Sequence, residues 1–535
     1  MDSIFYNGKV RTMDGRTAQA VCVENGGIAF VGGDEEALKM KTGGTKLIDL
    51  GGRLTLPGFI DTHMHLLSYG ASLFKASLGP ARSKAELLEI GRAFLKANPG
   101  LSRLVGAGWN QERWADDATF PKRWELDEIS RDIPVAFWRA CYHALCLNTK
   151  ALEVCGIAAD TPDPSGGTIV RDEKGIPNGV LLEDACGLAD AMMPEPDIGE
   201  SKRCIRAAAL DAVSCGLTTV HADDLYFPDE GECVPLRAYE ELRGEGMLPI
   251  RVYMQCRLSD PAAFRRFFEL GYACGKGDER LRFGPMKLIA DGSLGARTAY
   301  MRKPYRDAPE TRGIPIYTKE QLDSLVCAAA ERGMPSVIHA IGDATLEMAL
   351  DAIEKARRVE KTKLRHGIIH CQITDLPLLE RMKRLDVMAL VQPIFLESDL
   401  HIADSRVGEL ARTSYAFATM LRLDIRMAFG SDAPVERFNA IQGIYHAVTR
   451  KDLSGFPENG WYPGERLTVE QAVAAFTREA AYASCEENVK GTVSAGKLAD
   501  LVVLDRDIFE IQPDEIKDAS VYMTVCGGEI VYMKN

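Results

Sequence analysis

Eight short apolar runs, separated by amphipathic stretches, constrain this chain's fold more than any other feature. They read GFIDTHMH at 58–65, LTTVHADD at 217–224, IRVYMQC at 250–256, PMKLIADG at 285–292, PSVIHAIGD at 335–343, HGIIHCQ at 366–372, VMALVQPIF at 387–395 and RMAFGSDAP at 426–434. Strands buried on both faces are near-continuous apolar runs, and parallel neighbours need a crossover long enough to hold a helix. Such alternation predicts the α/β class. Eight units predict a closed (β/α)8, TIM-type barrel with its reactive residues where strands end and loops begin.

The gap between the first and second runs is far too long for an ordinary connection. Residues 70–190 are therefore expected to form an insertion after the first barrel strand, within a barrel domain spanning 57–489. Its strand-like pieces RLVGAGW, PVAFWRACYHALCL and GGTIVRDEKGIPNGVLLEDA predict a subdomain over the barrel mouth, where it would shape a substrate pocket. The first fifty residues alternate apolar and polar positions between glycines, which predicts a run of β-hairpins. GKLADLVVLDRD and VYMTVCGGEIVYMKN have the same texture, so residues 1–56 and 490–535 are expected to build one small sheet domain together.

A net charge of −13 argues against a nucleic-acid or anionic-membrane surface, either of which would want clustered Lys and Arg, so neither is expected as a partner. A small-molecule substrate fits better, and a chain of this size is compatible with a homo-oligomer. The N-terminus carries no basic segment followed by an apolar core, and no apolar stretch approaches the roughly 18 residues of a membrane helix. The fourteen cysteines are scattered without a CxxC pair, and Cys22, Cys215, Cys256 and Cys327 sit in apolar runs. They read as reduced core thiols, and the expected compartment is the cytoplasm.

His63 and His65 alternate at a predicted strand end, which places both imidazoles on one face where they can chelate one cation. His339, His370 and Asp432 also fall at strand ends; together these residues form a ligand set of the kind that zinc and its neighbours prefer. Lys287 lies inside a strand, where its charge must be removed or paired. Reaction with carbon dioxide would convert it to an anionic carbamate able to bridge two cations. The other histidines, His221, His366, His401 and His446, read as structural.

The ordered series LPGFIDTHMH, GWNQERW, HALCLNT, MKLIADGSLGARTAY, HAIGDAT, GSDAPVE, GIYHAVTR and GKLADLVVLD resembles the amidohydrolase superfamily over essentially the whole chain. It is closest to the amidohydrolase 3 branch, which includes YtcJ-like proteins and N-substituted formamide deformylases. The resemblance implies that the domain built from both ends is a small β-sandwich. It also implies one or two divalent ions, commonly zinc, with manganese, iron or cobalt as alternatives. His63 and His65 would bind one metal, carboxylated Lys287 would bridge, His339 and His370 would bind the second, and Asp432 would bind and take protons. One departure is Ile369, where relatives commonly carry an acid before the ligand histidine; the family register selects His370 over His366.

The expected activity is hydrolysis of an amide, N-formyl or N-acyl C–N bond by a metal-activated hydroxide, with Asp432 as general base and acid. Trp109, His143, Glu183, Asp291 and Arg297, with Gln111 and Trp114 beside them, are expected around the substrate. Lactam or cyclic-imide hydrolysis, deamination and decarboxylation are alternatives on the same scaffold, since fold does not fix reaction. Lys287 argues against the deaminases, which commonly lack it. A non-catalytic binding protein would have lost ligands, and none is missing.

Overall fold

A computed structural model describes residues 1–111, 114, 119–140, 143–164, 166–192, 196–228 and 230–534. Glu112 and Arg113 of GWNQERW, and Cys141 and Tyr142 of PVAFWRACYHALCL, lie outside the described residues.

The eight apolar runs form one parallel sheet in sequence order. Its strands are β1 (Phe59–Met64), β2 (Leu217–Tyr226), β3 (Arg251–Arg257), β4 (Leu281–Ile289), β5 (Ser336–Ala340), β6 (Gly367–His370), β7 (Met388–Val391) and β8 (Met427–Phe429). The segment after β8 is bonded to β1 and its end: Asp432 N donates to His63 O at 2.8 Å, and His65 N to Ala433 O at 2.7 Å. Helices such as Lys319–Glu331 and Asp343–Ala356 supply the crossovers, burying Leu322, Val326, Leu346 and Leu350 along one stripe each. This is a TIM-type barrel.

One strand begins earlier than its sequence suggests. Pro285 reads as a strand start, yet β4 runs from Leu281 because Gly284 and Pro285 fall where its pairing with β3 shifts register between Phe283 and Met286. A bulge is the place where a strand tolerates proline.

The chain divides into two compact units, residues 1–69 with 205–535, and residues 70–204. In the first, both chain ends contribute strands to a six-stranded sheet, in which Leu54–Pro57 pairs antiparallel with Leu501–Leu504. The expected hairpins form in part, Ala20–Glu24 with Gly27–Gly32 and Lys9–Arg11 with Thr17–Ala18, but parallel pairs lie among them. Ser3–Tyr6 pairs parallel with Lys46–Asp49, and Lys9–Arg11 parallel with Leu54–Pro57. Phe5, Val21, Ile28, Leu501, Val503 and Met523 share one apolar cluster that joins the first segment to the last.

The second unit holds a six-stranded mixed sheet with the helix Lys84–Ala97. Its core includes Leu87, Leu104, Trp109, Phe137 and Cys146. Every described cysteine is a free thiol, and among the described residues no helix is long and apolar enough to cross a membrane.

Candidate metal centre

The C-terminal ends of the barrel strands bring six of the expected residues together. Asp432 Oδ1 lies 3.2 Å from His63 Nε2 and 3.2 Å from His65 Nε2, and Asp432 Oδ2 lies 4.0 Å from His370 Nε2. His370 Nε2 stands 2.9 Å from His339 Nδ1, and Lys287 Nζ 3.2 Å from His63 Nε2. His366 is elsewhere: its Nδ1 accepts from Ser336 N at 3.1 Å.

Backbone conformation contributes to this convergence. His370, Cys371 and Asp432 have φ of 72°, 47° and 60°, left-handed values that cost a non-glycine residue roughly 1–3 kcal/mol each. Gly430 is required by close approach, since a Cβ there would stand 2.7 Å from His63 N and 2.9 Å from Asp61 Oδ1. Asp61 is buried; its Oδ1 accepts from the backbone N–H groups of His63 and Ser431, both at 3.1 Å, and burial pushes its carboxyl up to about 7.

The proton positions follow from hydrogen bonding. Gln255 Nε2 donates to Thr62 O at 3.0 Å, so its Oε1 must accept from His63 Nδ1–H at 2.8 Å. Gln392 does the same on the far side, donating to Leu390 O at 3.1 Å and accepting from His370 Nδ1–H at 2.7 Å. A carbonyl can only accept, so His65 Nδ1 donates to Asp223 O at 3.1 Å, and His339 Nε2 donates to Gly292 O at 3.0 Å. In its neutral form each imidazole has therefore spent its proton outward and turned a lone pair inward; at His65 burial opposes a second proton, but the Asp432 and Asp223 carboxylates overcome it and raise the group above the ordinary histidine value. Burial holds His63, at about 4, and His370 below the ordinary histidine value, which keeps both neutral.

Inside the cluster, acceptors face acceptors. Asp432 Oδ1 is buried without a well-formed hydrogen bond, with His63 and His65 Nε2 each 3.2 Å away, and in their neutral forms His339 and His370 oppose two nitrogen lone pairs across 2.9 Å. Buried acceptors without donors are costly. A divalent cation resolves both conflicts, and the ligand types suit it. His63, His370 and Asp432 form one group of donor atoms close enough to share an ion, and His63, His65 and Asp223 form another.

Three participants were not singled out in the sequence: Asp223, Arg257 and the glutamine pair. Arg257 grips Asp223 through two bonds, at 2.7 and 2.9 Å, and Lys287 Nζ lies 3.5 Å from Asp223 Oδ2. Burial pushes the Asp223 carboxyl up, but Lys287 and Arg257 overcome this and hold it below its usual range. Burial pulls the Lys287 ammonium down. The available signal was polar side chains inside strand-like apolar runs, Gln255 in IRVYMQC and Gln392 in VMALVQPIF, since such groups must find partners.

The expected substrate residues are placed differently from the ligand set. Asp291 is buried, accepting from the N–H groups of Tyr300, Ile341 and Gly342 at 3.0, 3.1 and 2.8 Å, with His339 Nε2 3.2 Å away; it anchors loops. Arg297 is bound to Asp307 at 3.2 and 2.7 Å. Trp109 is fully buried in the core of residues 70–204, where its Nε1–H donates to Phe137 O at 3.1 Å. In all three the polar group is engaged within the protein. His143 and Glu183 are exposed and paired, Nδ1 to Oε2 at 2.7 Å.

A metal-ligand cluster at the strand ends of a (β/α)8 barrel defines a class of metal-dependent hydrolases. The chain belongs to the amidohydrolase family, which it matches over residues 46–532. It is 35% identical to the Bacillus subtilis protein YtcJ over 543 residues, all of both chains. It is 28% identical to the N-substituted formamide deformylase of Arthrobacter pascens over 552 residues, 99% of this chain and 98% of the relative. Among solved structures, an uncharacterized metal-dependent hydrolase from Pyrococcus furiosus superposes with a TM-score of 0.78 at 29% identity, covering 95% of this chain and 100% of the other. Family and site together support a hydrolase that uses a divalent metal.

Proposed function

We propose that this chain hydrolyses a C–N bond, in an amide, N-formyl or N-acyl group of a small molecule, with one or two divalent ions held by His63, His65, Lys287, His339, His370 and Asp432. The observation that carries this reading is the convergence of three imidazole Nε2 atoms, those of His63, His65 and His370, on the buried carboxylate of Asp432, with His339 Nδ1 beside His370. Zinc suits imidazole and carboxylate ligands, and manganese, iron and cobalt accept the same set. A bound divalent ion lowers the pKa of water from about 15.7 to about 7 and polarises a carbonyl oxygen.

The protein's own residues supply the rest. Asp432 accepts the proton of the attacking water and returns it to the leaving nitrogen, which would otherwise depart as an amide anion. Gln255, Gln392 and the carbonyl of Asp223 keep His63, His370 and His65 in the tautomer that presents Nε2. Lys287 would join the ligand set as a carbamate: the neutral amine attacks the carbon of carbon dioxide, a C=O π bond opens, one proton leaves to solvent, and an anionic carboxylate group remains bonded to Nζ. Its burial favours the neutral amine that this requires.

His143 and Glu183 remain our candidates for polar contact with the substrate, and the full-length similarity to a deformylase favours an N-acyl or N-formyl amine. We assign residues 1–56 and 490–535 to a composite β-sandwich, 57–489 to the barrel and 70–190 to the insertion.

Metal content per chain, measured on freshly purified parent and on Lys287→Ala, tests this, with both assayed against N-acyl and N-formyl amines. One to about two equivalents in the parent, loss of at least one in the variant and metal-dependent amide cleavage are expected. A folded parent that holds no metal, and stays inert after metal is added, defeats the reading.

A further inference from the structure

The far end of the barrel, where β3 begins at Arg251, borders a cavity of about 340 Å3 whose walls carry Arg251, Arg280, Lys497, Glu279, Gly26 and Gly527. All six belong to the same compact unit. Arg251 is matched: its Nε and Nη2 donate to Asp500 at 2.8 and 2.9 Å, and Nη1 donates to Glu279 O at 3.1 Å. Arg280 and Lys497 are not. Among the described residues, Arg280 Nη1 meets only Pro249 O, at 3.3 Å, and Cys526 Sγ, at 3.0 Å. Lys497 Nζ donates to the carbonyls of Glu487 and Lys490 and is attracted by the Asp14 and Glu487 carboxylates, with no ion pair within 4 Å among the described residues.

Gly527 keeps the space between the guanidinium groups open. Its φ is +62°, and a Cβ there would stand 3.2 Å from Arg280 Nη2 and 3.4 Å from Arg251 Nη2, so both groups border one point. Like charges brought together beside bare backbone repel unless an anion lies between them, and the planar guanidinium fork matches the oxygens of phosphate. Glu279 is the one carboxylate of the lining, and it is exposed at the rim, 3.6 Å from Arg251 Nη1. The volume lies within the range of about 300–1,000 Å3 seen for small-molecule sites, more than a bare oxyanion needs.

We propose that this cavity binds phosphate, free or carried by a small phosphorylated molecule, through Arg280 and Lys497, beside the Arg251–Asp500 pair. The site lies at the strand starts, whereas the histidines lie at the strand ends. An anion here ties the loop before β4 to the C-terminal strands.

Isothermal titration of the full-length, metal-loaded protein with inorganic phosphate, and separately with glycerol 3-phosphate, tests the proposal at constant ionic strength. Saturable binding is expected, weakened about tenfold or more in Arg280→Ala and Lys497→Met, as loss of a charge-assisted hydrogen bond implies. Arg280→Lys, which keeps the charge, should retain part of it, and Glu279→Gln should tighten it. Stronger binding of glycerol 3-phosphate supports a phosphorylated metabolite, and equal binding supports free phosphate. Phosphate that survives Arg280→Ala but is lost in His370→Ala sits at the metal centre and overturns the proposal. Absence of saturable binding by the folded parent overturns it equally.

Discussion

The two ends of the barrel bury ionisable groups by opposite means. At the strand starts, Arg251 and Asp500 are both buried and joined by two bonds of 2.8 and 2.9 Å, with Lys490 and Glu486 paired at 2.7 Å in the same compact unit. At the strand ends, the inner nitrogens of His63, His370 and His339 crowd around Asp432, whose Oδ1 has no well-formed hydrogen bond, and the donor beside them is Lys287 Nζ, 3.2 Å from His63 Nε2. Folding alone completes the Arg251–Asp500 pair. The histidine cluster is complete only with a cation, so part of its stability belongs to the ligand.

The largest effects should separate the two ends by what they damage. Asp432→Asn keeps the shape of the side chain but removes the base, and should lower kcat by about 10²- to 10⁴-fold against an active N-acyl amine while leaving urea unfolding of the metal-free protein nearly unchanged. Asp500→Asn should do the reverse. Breaking a buried pair from one side costs about 3–5 kcal/mol, read as a lower urea midpoint, with metal content unaltered. If Asp500→Asn proved as stable as the parent, the distinction between the two ends would fail.

Acid sharpens the same test. Burial pushes the Asp500 carboxyl up, but Arg251 overcomes it and holds the group below its ordinary value. A depressed folded pKa stabilises above the unfolded value of about 3.9, and that contribution is lost as pH falls through the folded pKa. The urea midpoint of the parent should therefore fall as pH drops below about 4, and Asp500→Asn should show a shallower acid limb over the same window.

Much of this was legible in the sequence because barrel strands buried on both faces are apolar runs, and because His63 and His65 share a face by simple alternation. Pairing between distant segments was not. The parallel partners of Ser3–Tyr6 and Lys9–Arg11 come from residues 46–57, and nothing local in an alternating strand names its neighbour. Trp109 is a similar case: its place in a family motif reads as a pocket residue, and its depth depends on Leu87 and Phe137, contributed by other elements. Ile369 shows the converse. Its side chain belongs to the apolar cluster of Ile60, Val337 and Leu390, so the missing acid leaves His370 untouched, held through Nδ1 by Gln392.

The glutamines carry the next prediction in size. Gln255→Leu and Gln392→Leu each leave a buried imidazole free to change tautomer, and each should weaken metal binding about 10- to 100-fold in competition with a chromophoric chelator. The 15N resonances of His63 and His370 in metal-free protein give an independent reading, since the parent should carry its proton on Nδ1 and the variants a mixture. Unchanged affinity with unchanged resonances would show that packing alone sets the rings.

The smallest effect is the most discriminating. In metal-free protein the lone pairs of His339 Nδ1 and His370 Nε2 oppose each other at 2.9 Å, so His339→Leu removes a repulsion as well as the bond from Nε2–H to Gly292 O. A typical hydrogen bond contributes about 1 kcal/mol net, and the relieved repulsion offsets it. The metal-free variant should therefore unfold within about 1 kcal/mol of the metal-free parent. With metal present the gap should widen, because only the parent gains the full binding energy. Asp500→Asn should show the same deficit under both conditions. If His339→Leu were as costly without metal as with it, His339 would be a packing residue, and the contrast between the barrel's ends would rest on Asp432 alone.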